Sequence, residues 1–242
     1  MPFTLAHPAA VLPFKRWLWF PALAAGAMAP DVAYYLPLPI DTHALVSVVT
    51  VDVVVGALMV LVAWVAQRPF LALCGDGVRR RANGMKAPTL PILAASLVVG
   101  AATHVVWDAF THTHGFIVQN WSLMRISVVG PHRLYNVFGY VSAIGGMLIL
   151  GIVLRRWYRR TPPSEPRRPA ARRKPWIFAG IGAATVAGAV IALADLVSQV
   201  STYDWVRQLL LGSIQGAVAA FALYVLAFYV VKPKSAMWTR WK

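Results

Sequence analysis

Charged side chains are scarce in this sequence of 242 residues, and acidic ones are the scarcest. Charged residues make up 13% of the chain, against about 25% in an ordinary soluble domain. There are 23 Lys and Arg residues but only 8 Asp and Glu residues, and Glu165 is the single glutamate. This composition argues against a soluble globular domain.

Several familiar sequence signatures are also missing. Cys74 is the only cysteine, so no intramolecular disulfide can form. The sequence contains no H-E-x-x-H motif, no G-x-S-x-G motif and no P-loop ending in G-K-S or G-K-T. These absences disfavour zincin proteases, serine hydrolases and nucleotide-driven pumps.

Long apolar runs are abundant, and 59% of the residues are hydrophobic. A run of about 20 apolar residues is long enough for a helix to cross the hydrocarbon core of a bilayer. Because lipid cannot satisfy backbone polar groups, such runs are expected to be helical. We therefore predict an all-α, polytopic transmembrane bundle with five clear spans. They are Leu45–Ala66, Leu90–Phe110, Val137–Leu154, Trp176–Val197 and Leu209–Val231.

Residues 1–36 are apolar too, but several prolines interrupt them. They predict either a sixth span or a re-entrant hairpin of short helices, and the prolines favour the hairpin. A straight span would hold His7 and Asp31 about 35 Å apart at 1.5 Å per residue. A hairpin would bring both residues to the outer side, close to His43, which lies just before the first clear span.

The net charge of +15 is interpreted as a topology signal and not as nucleic-acid binding. Most basic residues lie beside apolar runs in three segments, 68–86, 155–174 and 232–242. Such loops mark the cytoplasmic side of a membrane protein. We therefore predict a cytoplasmic C-terminus, and we place residues 37–44, 111–136 and 198–208 on the opposite, extracytoplasmic side.

The chain is predicted to form a single transmembrane domain, 1–242. Its predicted parts are the N-terminal hairpin 1–36, the core spans 37–154, a basic cytoplasmic linker 155–175, two C-terminal spans 176–231 and a basic tail 232–242. Residues 161–175 are rich in Pro and Arg and are expected to be disordered.

The most informative motif is T-H-V-V-W-D-A-F-T-H-T-H, residues 103–114. His104, Asp108 and His112 are spaced i, i+4 and i+8, so at 100° per residue they fall within about 80° of one helix face. Ionisable residues in a membrane usually face the bundle interior or a wet cavity. Imidazole and carboxylate groups on one face can hold a divalent metal ion. The alternative is a hydrogen-bonded polar cluster that joins helices.

Three motifs stand in the first half of the chain: M-P-F-T-L-A-H-P-A-A-V-L-P at the start, G-A-M-A-P-D at 26–31 and H-V-V-W-D-A-F-T-H at 104–112. With them the sequence resembles an uncharacterised family of bacterial integral membrane proteins. That family is distantly similar to membrane-bound metal-dependent hydrolases and to zinc-dependent phospholipase C. The resemblance implies a multi-pass protein of the bacterial cytoplasmic membrane.

In the phospholipase C fold, an all-helical bundle presents an N-terminal His, a Pro-Asp, a His, a His-x-x-x-Asp pair and a later His to clustered zinc ions. Carried over to this sequence, the resemblance implies metal ligands at His7, Asp31, His43, His104, Asp108 and His112 or His114.

The sequence departs from the family pattern at one point. Where the family has Gln-His-Gly-Ser on the following span, this chain reads N-V-F-G-Y-V-S, so Tyr140 stands where a His is expected. This departure puts a third metal ion, and full activity, in question. His132, in the loop sequence G-P-H-R, is a candidate replacement.

Six candidate ligands exceed the three or four that one zinc ion uses, so one or two divalent ions, most simply zinc, are expected. Such an ion lowers the pKa of a water molecule and supplies a nucleophile at neutral pH. Because Glu165 lies in the basic linker, the base would be Asp31, Asp108 or the hydroxide itself, and either Asp could bridge two ions. A phosphoester or lipid-linked substrate would fit this depth, with Arg125 or Arg133 as phosphate partners.

Three functions stay open from the sequence. They are a membrane-bound metal-dependent hydrolase acting at the extracytoplasmic face, a non-catalytic scaffold with a structural metal or polar cluster, and a metal or ion transporter. The lack of an inverted repeat and of a polar line towards the cytoplasm counts against the transporter. Expected partners are membrane lipids and a lipid or phosphoester substrate, not nucleic acid, and the oligomeric state is open.

Overall fold

A computed structural model describes residues 3–35, 42–82, 84–164 and 174–230 of the protein. Five helical segments in it are long and apolar enough to cross a membrane, which confirms the predicted all-α polytopic fold. They are Val51–Leu73, Leu90–Asn120, Leu134–Arg160, Lys174–Leu193 and Asp204–Val230. The predicted tail 232–242, most of the proline- and arginine-rich stretch 161–175 and residues 37–41 of an outer loop lie outside the described residues.

The N-terminal region consists of short helices and does not form one long rod. The 3₁₀-helices are labelled η and the α-helices α. In chain order they are η1 (Thr4–Ala9), η2 (Leu12–Arg16), α1 (Phe20–Met28), η3 (Ala29–Asp31) and α2 (Val32–Tyr35). Prolines lie within or at the start of η1, η2, α1 and η3, where a missing N–H and a fixed φ limit the length of each helix.

The remaining elements follow in chain order. They are η4 (Ser47–Val49), α3 (Val51–Leu73), α4 (Asp76–Arg79), α5 (Leu90–Thr111), α6 (Phe116–Asn120), η5 (Ser122–Arg125), β1 (Ser127–Val129), β2 (His132–Arg133), α7 (Leu134–Arg160), α8 (Lys174–Leu193), η6 (Leu196–Gln199) and α9 (Thr202–Val230). The two short strands pair as an antiparallel hairpin.

Helix ends differ from the predicted bounds where polar side chains bind the backbone. Helix α8 ends before Val197 because Asp195 accepts a hydrogen bond from the Val197 amide, 3.0 Å away, and begins the new turn η6. Helix α9 starts well before Leu209. There, Ser201 accepts a hydrogen bond from the Asp204 amide (3.1 Å) and donates one to the Asp204 carboxylate (2.5 Å), a capping arrangement that starts a helix among polar residues.

The chain divides into two compact units. The first comprises residues 1–65 and 83–162, and the second comprises 66–82 and 163–242. In the second unit, α8 and α9 approach at glycines, because a Cβ on Gly188 would lie 2.2 Å from the carbonyl oxygen of Gly212. The division into predicted parts made from the sequence is a different partition and stays a prediction.

The first unit is built on a close contact between α1 and α5. A Cβ on Gly26 would lie 2.3 Å from the Leu97 carbonyl oxygen, and a Cβ on Gly100 would lie 2.4 Å from the Leu23 carbonyl oxygen. These distances are far shorter than a van der Waals contact, so only glycine allows the two backbones to meet. Such small-residue contacts are the usual way in which helices associate in membranes, where no hydrophobic force drives them together.

We predict that Gly100→Ala destabilises the protein although alanine favours helix. The added methyl group has no space and must push α1 away from α5, which typically costs about 1–3 kcal/mol. The matched control is Gly151→Ala on α7, where a Cβ meets nothing within 4 Å. That variant is expected to be neutral or slightly stabilising. Thermal unfolding of both purified variants in the same detergent tests this, and equal stability of the two would contradict the close-contact interpretation.

Candidate metal centre

Three separate pieces of the first unit bring four polar side chains to one place. Helix α5 carries His104 and Asp108, one turn apart on the same face. Asp31 comes from η3, at the end of the apolar N-terminal helices. His43 comes from the segment before η4. Asp31, His104 and Asp108 are almost completely buried, and the His43 side chain is 29% exposed.

Four atoms of these residues lie at the spacing expected around a single metal ion. The His104 Nε2 atom is 3.1 Å from Asp108 Oδ2 and 3.5 Å from Asp31 Oδ1. The His43 Nε2 atom is 3.6 Å from the same Asp108 oxygen and 3.8 Å from the same Asp31 oxygen. Ligands about 2.1 Å from a tetrahedral zinc ion are about 3.4 Å from each other. The four groups could therefore hold one metal ion.

The tautomer of His104 follows from its other ring nitrogen. Its Nδ1 atom lies 2.8 Å from the carbonyl oxygen of Ala27. A carbonyl oxygen only accepts, so Nδ1 carries a proton, and in the neutral, metal-binding form of the ring Nε2 presents a lone pair. That lone pair faces two carboxylate oxygens, and Nε2 has no hydrogen-bond partner among the described residues. A cation between these acceptors would remove the conflict, and a backbone carbonyl behind a ligand histidine is the usual support of a metal site.

Asp108 has the most histidine neighbours of any group in the cluster. Besides His104 and His43, its Oδ2 atom lies 3.1 Å from His112 Nε2, and its Oδ1 atom lies 3.9 Å from His7 Nε2. The His7 ring also stacks on that of His104, with centroids 4.0 Å apart. His7 and His112 thus surround the four-atom set without belonging to it. Asp108 is the carboxylate best placed to be shared between two ions.

His112 does not lie on the predicted helical stripe. Helix α5 ends at Thr111, and His112 is its C-cap with an extended backbone, φ −102° and ψ 145°. Its amide still donates to the Asp108 carbonyl oxygen at 3.0 Å, which keeps the residue close to the last turn. The side chain therefore reaches Asp108 from the end of the helix and not from its face.

Hydroxyl groups that the sequence analysis did not single out orient the acidic and imidazole ligands. Thr4 donates a hydrogen bond to Asp31 Oδ2 at 2.5 Å, which leaves Oδ1 to face the cluster. Thr42 donates to the Pro30 carbonyl oxygen at 2.6 Å and lies 3.3 Å from His43 Nδ1. Thr4 and Thr42 stand within three residues of His7 and His43, but spacing along the sequence does not show a contact to a distant carboxylate.

Burial shifts the pKa of His7 and of Asp31, the two cluster residues carried by the N-terminal helices. Burial first, and the neighbouring His104 second, lower the pKa of His7 to about 3. The ring is therefore neutral at physiological pH, the form that binds metals. Burial raises the pKa of the Asp31 carboxyl, against the opposing effects of His104 and of the Thr4 hydrogen bond. A buried carboxylate of this kind is favoured when a cation lies beside it.

The other predicted site residues lie on the surface. His114 is exposed in the turn after α5. Arg125 ends η5 and Arg133 is on β2, and both side chains are exposed. In the described contacts none of the three reaches the cluster. Their predicted roles, a metal ligand and two phosphate partners, stay predictions.

Tyr140, the residue at the family's expected histidine position, contacts the candidate replacement directly. Its hydroxyl lies 3.1 Å from His132 Nδ1, and the two rings meet edge to face with centroids 5.6 Å apart. Both residues are exposed. Tyr140 therefore holds His132 at the surface, and the described contacts do not bring His132 into the cluster.

The protein is an α-helical membrane protein with a buried His–Asp cluster of metal-binding geometry in its first unit. A family model described as a domain of unknown function, DUF4184, matches residues 1–226, so the chain belongs to that family. No curated protein and no solved structure matches the chain.

We predict that Thr4→Val weakens metal binding without emptying the site. Loss of the hydroxyl frees the Asp31 carboxylate to rotate, and removal of such a supporting hydrogen bond typically costs about 10–100-fold in metal affinity. The control is Thr185→Val, because that hydroxyl donates only to Ile181 of its own helix in the second unit. Competition with a chelator of known affinity measures the effect. Equal affinities in the two variants would show that Thr4 does not position Asp31.

Proposed function

We propose that the protein is a membrane-bound, metal-dependent hydrolase that acts on a phosphoester or lipid-linked substrate. The observation that carries the proposal is the set of four ligand atoms at metal spacing on His43, His104, Asp31 and Asp108. The four distances between a histidine nitrogen and a carboxylate oxygen are 3.1 to 3.8 Å, and all four atoms lie within 4.8 Å of one another, which suits a zinc-sized ion. The motif resemblance to metal-dependent hydrolases supports the same chemistry.

The cluster has more ligands than a purely structural site needs. One tetrahedral zinc ion uses four groups, and His7 and His112 lie beside those four, both within 4 Å of Asp108. We propose that they serve a second ion or take over a coordination position during the reaction. Access from outside the protein is possible at His43, which is 29% exposed, and at His112, which is 18% exposed.

The roles of the individual residues follow from this arrangement. A divalent ion supplies Lewis acidity and lowers the pKa of water, so that a nucleophile is available at neutral pH. Asp108, which has histidine nitrogens on both of its oxygens, would hold one ion or be shared between two. Asp31, whose Oδ2 atom accepts the Thr4 hydrogen bond, would hold an ion through Oδ1. The proton that the attacking water loses would pass to Asp108 or to a metal-bound hydroxide. The neutral imidazoles of His43 and His104 complete the ligand set.

A structural metal site is the second candidate function. Four protein ligands around one ion are typical of structural zinc, whereas catalytic sites usually keep one position open. Tyr140 also stands where the family pattern has a further histidine, and it pairs with His132 at the surface. In this alternative the metal would connect the N-terminal helices to α5 and take no part in catalysis.

Metal content of the full-length protein in lipid nanodiscs is the first test. We expect about one to two divalent ions per chain in the wild type, and none in a variant with His104→Ala and Asp108→Ala combined. His114→Ala is the matched control, because its imidazole is exposed and outside the cluster, and it is expected to retain the metal. A metal-free wild type would exclude both the hydrolase and the structural-metal function.

Hydrolysis separates the two candidate functions. We expect the metal-loaded protein to cleave phosphatidylglycerol in the nanodisc or a soluble aryl phosphate, to lose that activity with a chelator and to regain it with zinc. Tightly bound metal without cleavage of either substrate, together with a lower unfolding temperature after metal removal, would favour the structural role.

We further propose that the protein lies in the bacterial cytoplasmic membrane with the cluster towards the extracytoplasmic side. Support comes from the positive charges in 68–86 and 155–174. Burial raises the pKa of the native Cys74 thiol, so new cysteines are the better probes. In a Cys74→Ser background, Ser127→Cys is expected to react with an impermeant maleimide in intact cells. Gly75→Cys is expected to react only after permeabilisation, and the reverse pattern would invert the topology.

A further inference from the structure

An apolar cavity of about 240 Å³ lies beside the cluster in the first unit. Its walls come from η1, α5 and α7. The lining residues are Ala6, His7, Ala9, Ala10, Trp107, Ser142, Gly145, Gly146 and Ile149. His7 connects the cavity to the cluster, because it lines the cavity and its ring stacks on that of His104.

The cavity exists because α7 carries two glycines at this level. A Cβ on Gly146 would lie 2.9 Å from the Ala6 Cβ, so Gly146 lets η1 pack directly on α7. A Cβ on Gly145 would meet nothing within 4 Å, so that glycine faces open space and not a neighbouring side chain. On the opposite side of the cavity, the small residues of η1 also leave this space open. The result is a slot that runs from Ser142 to Ile149, about 10 Å along α7 at 1.5 Å per residue.

The residues that line the cavity favour a hydrocarbon ligand over a polar one. None of the lining side chains is an acid, Lys or Arg, and Ser142 already donates its hydroxyl to the Gly139 carbonyl oxygen at 2.9 Å. A cavity of roughly 150 Å³ with apolar walls stays dry and takes up apolar molecules. At about 240 Å³ this one is larger than that, yet smaller than the roughly 300–1,000 Å³ of pockets that hold whole drug-sized ligands. Part of one flexible hydrocarbon chain matches this cavity in size and polarity.

The mouth of the cavity is continuous with the lipid-facing surface of α7. Ile149 and Trp107 at the rim are 48% and 39% exposed. Next to the rim on the same helix, Ile144, Leu148 and Ile152 are all at least 50% exposed, as expected for side chains that contact lipid. Both rim residues belong to segments long and apolar enough to cross the membrane. The molecules that meet this mouth in a bilayer are therefore lipid chains.

We infer that this cavity binds one acyl chain of a membrane phospholipid. His7 lines the cavity and its Nε2 atom lies 3.9 Å from Asp108 Oδ1, so an acyl chain in the cavity and the cluster would lie on either side of this residue. A phospholipid whose acyl chain occupies this cavity would have its polar headgroup beside the candidate metal ligands. This second step rests on the proposed hydrolase function and names its substrate class as a phospholipid. Occupancy of the cavity does not depend on that function.

Photo-crosslinking tests the inference on the full-length protein in phosphatidylglycerol nanodiscs. The probe is phosphatidylglycerol with a diazirine in one acyl chain, and the readout is the site of attachment by peptide mass spectrometry. We expect attachment at Ala6 or Gly146, which are buried and out of reach of the surrounding bilayer. Gly145→Leu fills the slot and should reduce this labelling several-fold. Gly151→Leu, the same change at an open position of the same helix, should leave it unchanged.

A second variant covers the case in which Gly145→Leu fails to fold. Ile149→Trp closes the mouth from the exposed rim, and Ile152→Trp on the lipid-facing surface is its control. Equal labelling of Ala6 and Gly146 in all variants, or no labelling of them in the wild type, would overturn the inference.

Metal content and hydrolysis, measured on the same samples, separate the two proposals. Cavity labelling in a metal-free wild type would refute the hydrolase and retain the lipid site. Metal-dependent hydrolysis without cavity labelling would support the hydrolase and refute the lipid site.

Discussion

The close contact between α1 and α5 is the constraint on which the first unit depends. Gly26 and Gly100 let the two backbones touch, and no other residue type fits at either position. One turn further along, the same approach sets the Ala27 carbonyl oxygen 2.8 Å from His104 Nδ1. It also sets Asp31, four residues beyond Ala27, against the other side of that ring. A contact between two glycines therefore fixes both the tautomer and the carboxylate neighbour of a candidate ligand.

This arrangement brings together hydrogen-bond acceptors, neutral and anionic, without donors between them, which is unfavourable in the absence of a cation. His104 Nε2, Asp31 Oδ1 and Asp108 Oδ2 are all buried and have no hydrogen-bond partner among the described residues. Each buried polar atom left without a partner typically costs about 1–3 kcal/mol. A cation held among these acceptors would offset that cost. The cavity beside His7 is lined by apolar residues instead. The polar cluster and the apolar cavity meet at the imidazole ring of His7.

Periodicity and hydrophobicity predicted the helical architecture well, because long apolar runs have one stable form in lipid. They placed His104 and Asp108 on one helix face correctly. They placed His112 there too, but α5 ends one residue earlier and His112 arrives from its C-cap. The support from Thr4 to Asp31 could not be predicted, because it joins residues 27 positions apart through a hydroxyl with no distinctive pattern. The cavity depends on where glycines of α7 meet η1, and helix pairing cannot be derived from one sequence.

The separation of the cluster residues along the chain has a consequence for biosynthesis. The Ala27 carbonyl oxygen and the ring it supports are 77 residues apart. The helices η1 to α2 emerge from the ribosome before α5, so the surface they pack on is not present until α5 has been made. Each of these helices is far shorter than the bilayer is thick. These helices are therefore made before the surface on which they pack, and they reach their final positions only after α5 has been inserted.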